Sequence, residues 1–189
     1  MQMMKKMMVA SGALLPMLAM AHPGHHDHDA TFWTGFMHPF TGLDHLLMVI
    51  SFGVLMWSVS KQSKMIGALG LVVALVIGFG LGAQQWIPVN IAEYGIVASL
   101  LVLAVAMWTK SNSLLMITAT ILATFHGVAH GVELGTQGQI ATQIMGMISA
   151  MVIIYGLGLG LGAFIQRYVP QGKKILGTLA AIVAVIGLA

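Results

Sequence analysis

Six apolar runs, at about 38–59, 65–83, 89–108, 112–131, 139–164 and 174–189, fill most of the chain, separated by charge, proline or polar clusters. A bilayer core needs ~20 consecutive apolar residues per helix, and the first five runs come near that length. The last holds only about 16 residues, so it must be short or thin the bilayer locally. Soluble domains are near one quarter charged; here 7% of residues are charged and 58% hydrophobic. The expected fold is therefore all-α, a polytopic membrane protein with a six-helix transmembrane bundle. Pro39 is expected in the first turn of span one, where its missing N–H is no loss. With no cysteine, disulfides and thiolate metal sites are both excluded.

Residues 1–21 have the pattern of a cleaved secretory signal: Lys5 and Lys6, then an apolar stretch, then Ala19-Met20-Ala21; the alternative is an uncleaved first helix, for which Pro16 and the short apolar run are poor. Residues 22–37 are then a His-rich periplasmic tail, and 38–189 the membrane domain. A mature N-terminus outside puts Lys61 and Lys64, then Lys110, then Arg167, Lys173 and Lys174 in inner loops. With Lys5 and Lys6, all eight basic residues lie on the cytoplasmic side of a bacterial inner membrane. The formal net charge of +3 thus follows from topology, and no nucleic-acid partner is expected.

The acids and histidines take the other side. His22, His25, His26, His28, Asp27 and Asp29 are in the tail. His38, Asp44 and His45 lie toward the outer end of span one, Glu93 toward that of span three, and His126, His130 and Glu133 toward that of span four. On a continuous helix His38 and His45, seven apart, share a face, and His126, His130 and Glu133 fall within about 60° of one another. An aspartate at membrane depth costs at least ~2.5 kcal/mol on insertion scales, so such groups face a partner or a cavity. At 1.5 Å per residue each stripe is about 10 Å long, and the two match rung for rung. His38 then stands with Glu133 and His130 near the mouth, and Asp44 and His45 with His126 deeper. Ligation near 2 Å cannot join both ends of such a ladder to one ion, which leaves two stations, or one station with an outer gate. Imidazole and carboxylate without thiolate suit Ni²⁺, Co²⁺ or Zn²⁺ and are too rich in nitrogen for Mg²⁺ or Ca²⁺.

The stretches "HPFTGLDHLLM" in span one and "FHGVAHGVE" in span four closely resemble the two signature motifs of the HupE/UreJ family of nickel/cobalt permeases. The resemblance covers the whole chain. It implies a transporter, not an enzyme, that carries Ni²⁺ or Co²⁺ as substrate, without a prosthetic group, for metalloenzymes such as hydrogenase or urease. By motif match it assigns His38, Asp44, His45, His126, His130 and Glu133 to the metal path. The rival from another class is an intramembrane zinc-dependent hydrolase, whose metal would activate a water. A metal sensor or insertase is a third alternative.

The tail adds His22, whose α-amino nitrogen and imidazole form a bidentate chelate after cleavage. Pro23 and Gly24 exclude the amino-terminal copper/nickel motif with histidine third. "GLGLGLG" at 156–162 lacks the Lys and Ser/Thr of a phosphate loop and is expected to pack helices. Gly127 and Gly131 make a second small-residue pair. Met48, one turn below His45, is a candidate for lining the path. Trp33, Trp57, Trp86 and Trp108 are expected as interface anchors. Glu93 fits a pathway acid or an interface residue equally; Gln139 and Gln143 are expected to hydrogen-bond between helices, with a part in the site as the alternative.

Overall fold

The computed structural model describes residues 31–109, 113–134 and 139–188. The signal segment, the histidine tail and Lys110 lie outside the described residues. Those described form eight helices and no strand: α1 (Phe32–Thr41), α2 (Leu43–Met56), α3 (Lys61–Ala83), α4 (Val89–Trp108), α5 (Ser113–Leu122), α6 (Thr124–Leu134), α7 (Ile140–Tyr168) and α8 (Gly172–Ile186). Four helical segments are long and apolar enough to cross a membrane, counting α5 and α6 as one, and α1 with α2 makes a fifth. The chain is thus a helical membrane protein. The expected sixth span is α8, whose 15 residues are too few to span by length alone.

Span one departs from expectation. It is not one straight helix but two, α1 and α2, bent by 80°. Helix α1 begins at Phe32, so residues 32–37 are helical, not tail. Thr31 caps it: its hydroxyl accepts from the Thr34 N–H (3.3 Å) while the Thr34 hydroxyl accepts from the Thr31 N–H (3.1 Å). Pro39 consequently lies near the C-terminus of α1 rather than in its first turn. There it removes an N–H that would close the last turns. Gly42 then takes an extended conformation (φ −89°, ψ 115°) and the chain restarts as α2. A Cβ at Gly42 would stand 2.8 Å from His45 Nδ1 and 3.0 Å from Asp44 Oδ1, so a side chain there would have to displace these two donors.

Elsewhere the helices approach closely through glycines. Gly78 and Gly82 of α3 lie on the backbone of Thr124 and Val128, while Gly127 and Gly131 of α6 lie on that of Leu75 and Phe79. Gly35 and Gly146 join α1 to α7, and Gly53 meets Gly158 where α2 crosses α7. Of the "GLGLGLG" glycines, Gly158 and Gly162 pack against α2, whereas Gly156 and Gly160 face open space. Two glycine-zippered bodies result, α1–α2–α7 and α3–α6, with α4 between α2 and α6.

The described charges are polarised. Tyr155 Oη donates to the Lys64 carbonyl (2.8 Å), Trp57 Nε1 to Gln166 Oε1 (2.8 Å) and Lys173 Nζ to Ser58 Oγ (3.0 Å). These bonds tie α3 to α7, and the segment after α2 to α7 and to the start of α8. All four tryptophans are exposed near helix ends, as interface anchors should be. Between the two ends lies an apolar core that includes Phe52, Leu55, Leu71, Leu100 and Leu103.

Candidate metal centre

Helices α1 and α2 bring His38, Asp44 and His45 to one end of the molecule, and α6 brings His126, His130 and Glu133 against them. Two groups of three form: His38, His130 and Glu133, and Asp44, His45 and His126. Within each, one donor atom per residue lies within 4.8 Å of the other two. The pairing across helices follows the depth order of the sequence, but the spacing does not. Because of the bend at Gly42, the His38 and His45 rings are 6.1 Å apart, not the ~10 Å of a straight helix. His130 stands 4.5 Å from each of them, and His45 is 4.7 Å from His126. The ladder is folded into one continuous cluster with two triads.

Each triad mixes accessible and buried donors. The Glu133 side chain is 49% exposed, that of Asp44 32%, that of His38 26% and that of His45 15%, while His126 and His130 are buried. The carboxylates touch the imidazoles: Glu133 Oε2 is 4.0 Å from His38 Nε2, and Asp44 Oδ1 is 2.9 Å from His45 Nδ1 without the alignment of a hydrogen bond. Three buried imidazole nitrogens, Nε2 of His45 and Nδ1 of His126 and His130, have no polar partner, while His45 Nδ1 faces Asp44 Oδ1. An unpaired buried polar group costs about 1–3 kcal/mol, so a water or a metal ion bound to these nitrogens is favoured. With imidazoles neutral, as metal binding demands, the two carboxylates match a divalent cation in charge. Three donors around one ion at roughly 2.1 Å stand about 3–3.5 Å apart, so each triad is near ligating geometry but has to tighten.

Below the cluster is a cavity of ≈ 20 Å³, bordered by His45, His126 and His130 and by Met48, Met147 and Met151. That is room for one water-sized species. Met48 is the candidate that the sequence offers for lining the path; Met147 and Met151, on a helix without histidine, carry no signal that separates them from core methionine. Glu93 is exposed on α4 and belongs to neither triad. The glutamines do not bond between helices as expected. Gln139 Oε1 accepts from Thr142 at 3.4 Å within its own helix start, and buried Gln143 Oε1 has no partner.

A family profile described as "HupE / UreJ protein" matches residues 9–189. The chain belongs to the HupE/UreJ family. It is also similar to Protein HupE of Rhizobium leguminosarum bv. viciae, 30% identical over 177 residues, which cover 93% of this chain and 91% of that protein. No solved structure matches the chain. Both HupE/UreJ motifs thus carry every residue of the two triads, and their folding together gives the resemblance a physical site.

Proposed function

We propose that this HupE/UreJ protein is an inner-membrane permease that admits a divalent transition metal, Ni²⁺ first and Co²⁺ second, from the periplasm. The ion would supply metalloenzymes such as hydrogenase or urease. The observation that carries this is the convergence of four imidazoles, three of whose buried nitrogens have no partner, with two carboxylates at one end of an apolar bundle. The mouth triad, His38, His130 and Glu133, takes the partly hydrated ion. His130 then passes it to the deeper triad, Asp44, His45 and His126, because its ring stands beside both His38 and His45. The apolar core beneath closes the inner side, so release to the cytoplasm requires the two glycine-zippered bodies to part. The separation of basic residues from acids and histidines supports a periplasmic mouth and cytoplasmic lysines.

The rival hydrolase would keep its ligands in one shell around an open coordination position; donors divided between two triads favour handover instead. Cells expressing the chain, and lacking other nickel importers, are expected to accumulate radioactive nickel above an empty-vector control. Equal accumulation, with the protein in the membrane, would refute the proposal. Purified protein that kept stoichiometric Zn²⁺ and cleaved a lipid or peptide would replace it with the hydrolase.

The tail belongs to the same proposal as a collector of scarce ion. Replacing His22, His25, His26 and His28 together is expected to weaken uptake at low metal and spare it at high metal. A native uptake curve at every concentration would show that the tail does not gather the ion.

A further inference from the structure

Ser99 is fully buried on α4, and no motif includes it. Its Oγ lies 2.6 Å from the Ile96 carbonyl oxygen and 3.0 Å from His126 Nε2. A carbonyl oxygen only accepts, and two oxygens at 2.6 Å repel unless a hydrogen lies between them, so the single hydroxyl hydrogen belongs to Ile96. Ser99 Oγ has only lone pairs left for the imidazole. The proton between Ser99 and His126 must therefore be the imidazole's own. His126 is then the tautomer with hydrogen on Nε2 and a lone pair on Nδ1, and Nδ1 is the buried nitrogen without a partner.

The backbone holds this pair in place. Gly95, one turn before Ser99 on the same face of α4, lets the Phe125 ring lie directly on the helix. That contact draws the start of α6 against α4 beside His126. The His126 N–H in turn donates to the Ala123 carbonyl (3.1 Å) across the junction of α5 and α6.

We infer that Ser99 is a positioning residue for metal transfer: it fixes the ring orientation and tautomer of His126, so that Nδ1 is the nitrogen that takes the ion. The inference builds on the metal path proposed above. A hydrogen-bond partner behind a ligating histidine sets which nitrogen binds and is typically worth 10–100-fold in metal affinity. Span three thereby joins the site without supplying a ligand.

The test uses the full chain in lipid nanodiscs, titrated with Ni²⁺ alone, and ¹⁵N-histidine spectra of the metal-free protein. The native spectrum is expected to show His126 as a single tautomer protonated at Nε2. Ser99→Ala keeps the volume nearly unchanged but removes the acceptor. It is expected to mix the tautomers and weaken Ni²⁺ binding about tenfold or more. Ser99→Thr, which retains the hydroxyl, is expected to keep the Nε2–H form and to bind more tightly than Ser99→Ala. His126→Ala separates the two claims. If it loses binding while Ser99→Ala binds like native, the site stands and the role of Ser99 falls. If neither variant changes binding, both fall. A native His126 protonated at Nδ1 would overturn the inference whatever the variants do.

Discussion

Replacing His45 or His126 by alanine is expected to lower metal uptake by a factor of about 10² or more while leaving the protein in the membrane. Each loses a ligand outright, whereas loss of an orienting partner behind a ligand alone costs 10–100-fold. Insertion should be untouched, because each change removes a polar group from a span. His130→Ala should match them, since its ring is 4.5 Å from both His38 and His45 and so connects the two triads. Asp44→Ala removes the negative charge 2.9 Å from His45 and belongs to the same class. His38→Ala and Glu133→Ala should be milder at high metal, as both belong to the mouth triad and neither ring nor carboxylate bridges to the deeper one. Radioactive nickel uptake at matched membrane abundance measures this. Native rates in two or more of the His45, His126, His130 and Asp44 variants would make the cluster a structural network.

A second large effect is expected from the helix seam behind the cluster. A Cβ at Gly131 would fall on the Phe79 carbonyl and stand 2.7 Å from the Ala83 N, and neither backbone group can give way like a flexible side chain. Gly131→Leu should therefore force α3 and α6 apart and cost at least about 1–3 kcal/mol, the usual range for overpacking. Glu133 and His130 ride on α6, so uptake should fall together with stability. Gly160→Ala is the contrast: nothing lies within 4 Å of its Cβ position. In a helix interior that exchange is worth about 1 kcal/mol in favour of alanine. Thermal unfolding of the purified proteins in lipid separates the two, and a Gly131→Leu variant melting like native would contradict the packing.

Much of this was legible because a bilayer imposes simple rules. The ends of span three come directly from Pro88 and Trp108, and α4 occupies Val89–Trp108 as the apolar run predicts. The pairing of His38 with Glu133 and of His45 with His126 followed from depth alone. What failed was the assumption of a straight span one. Pro39 and Gly42 were both visible, but a proline suits the first turn of a helix as well as its last. Only the capping of Phe32–Thr41 by Thr31 decides between them. The bend shortens the ladder and turns two separate levels into touching triads, which no periodicity reveals. Ser99 could have been found: it lies six residues inward of Glu93, as His126 lies seven inward of Glu133, so depth arithmetic puts them together. It was passed over because a lone serine in an apolar helix usually bonds its own backbone. Here it does that and also accepts from a histidine.

Passage of the ion through this chain alone is tested most directly in liposomes that hold the purified protein and a lumenal Ni²⁺ indicator. On addition of external Ni²⁺, vesicles with the native chain are expected to fill faster than empty ones, and vesicles with His126→Ala to fill no faster than empty ones. Native and His126→Ala vesicles filling at the same rate, or native vesicles filling no faster than empty ones, would contradict metal transport through the paired triads.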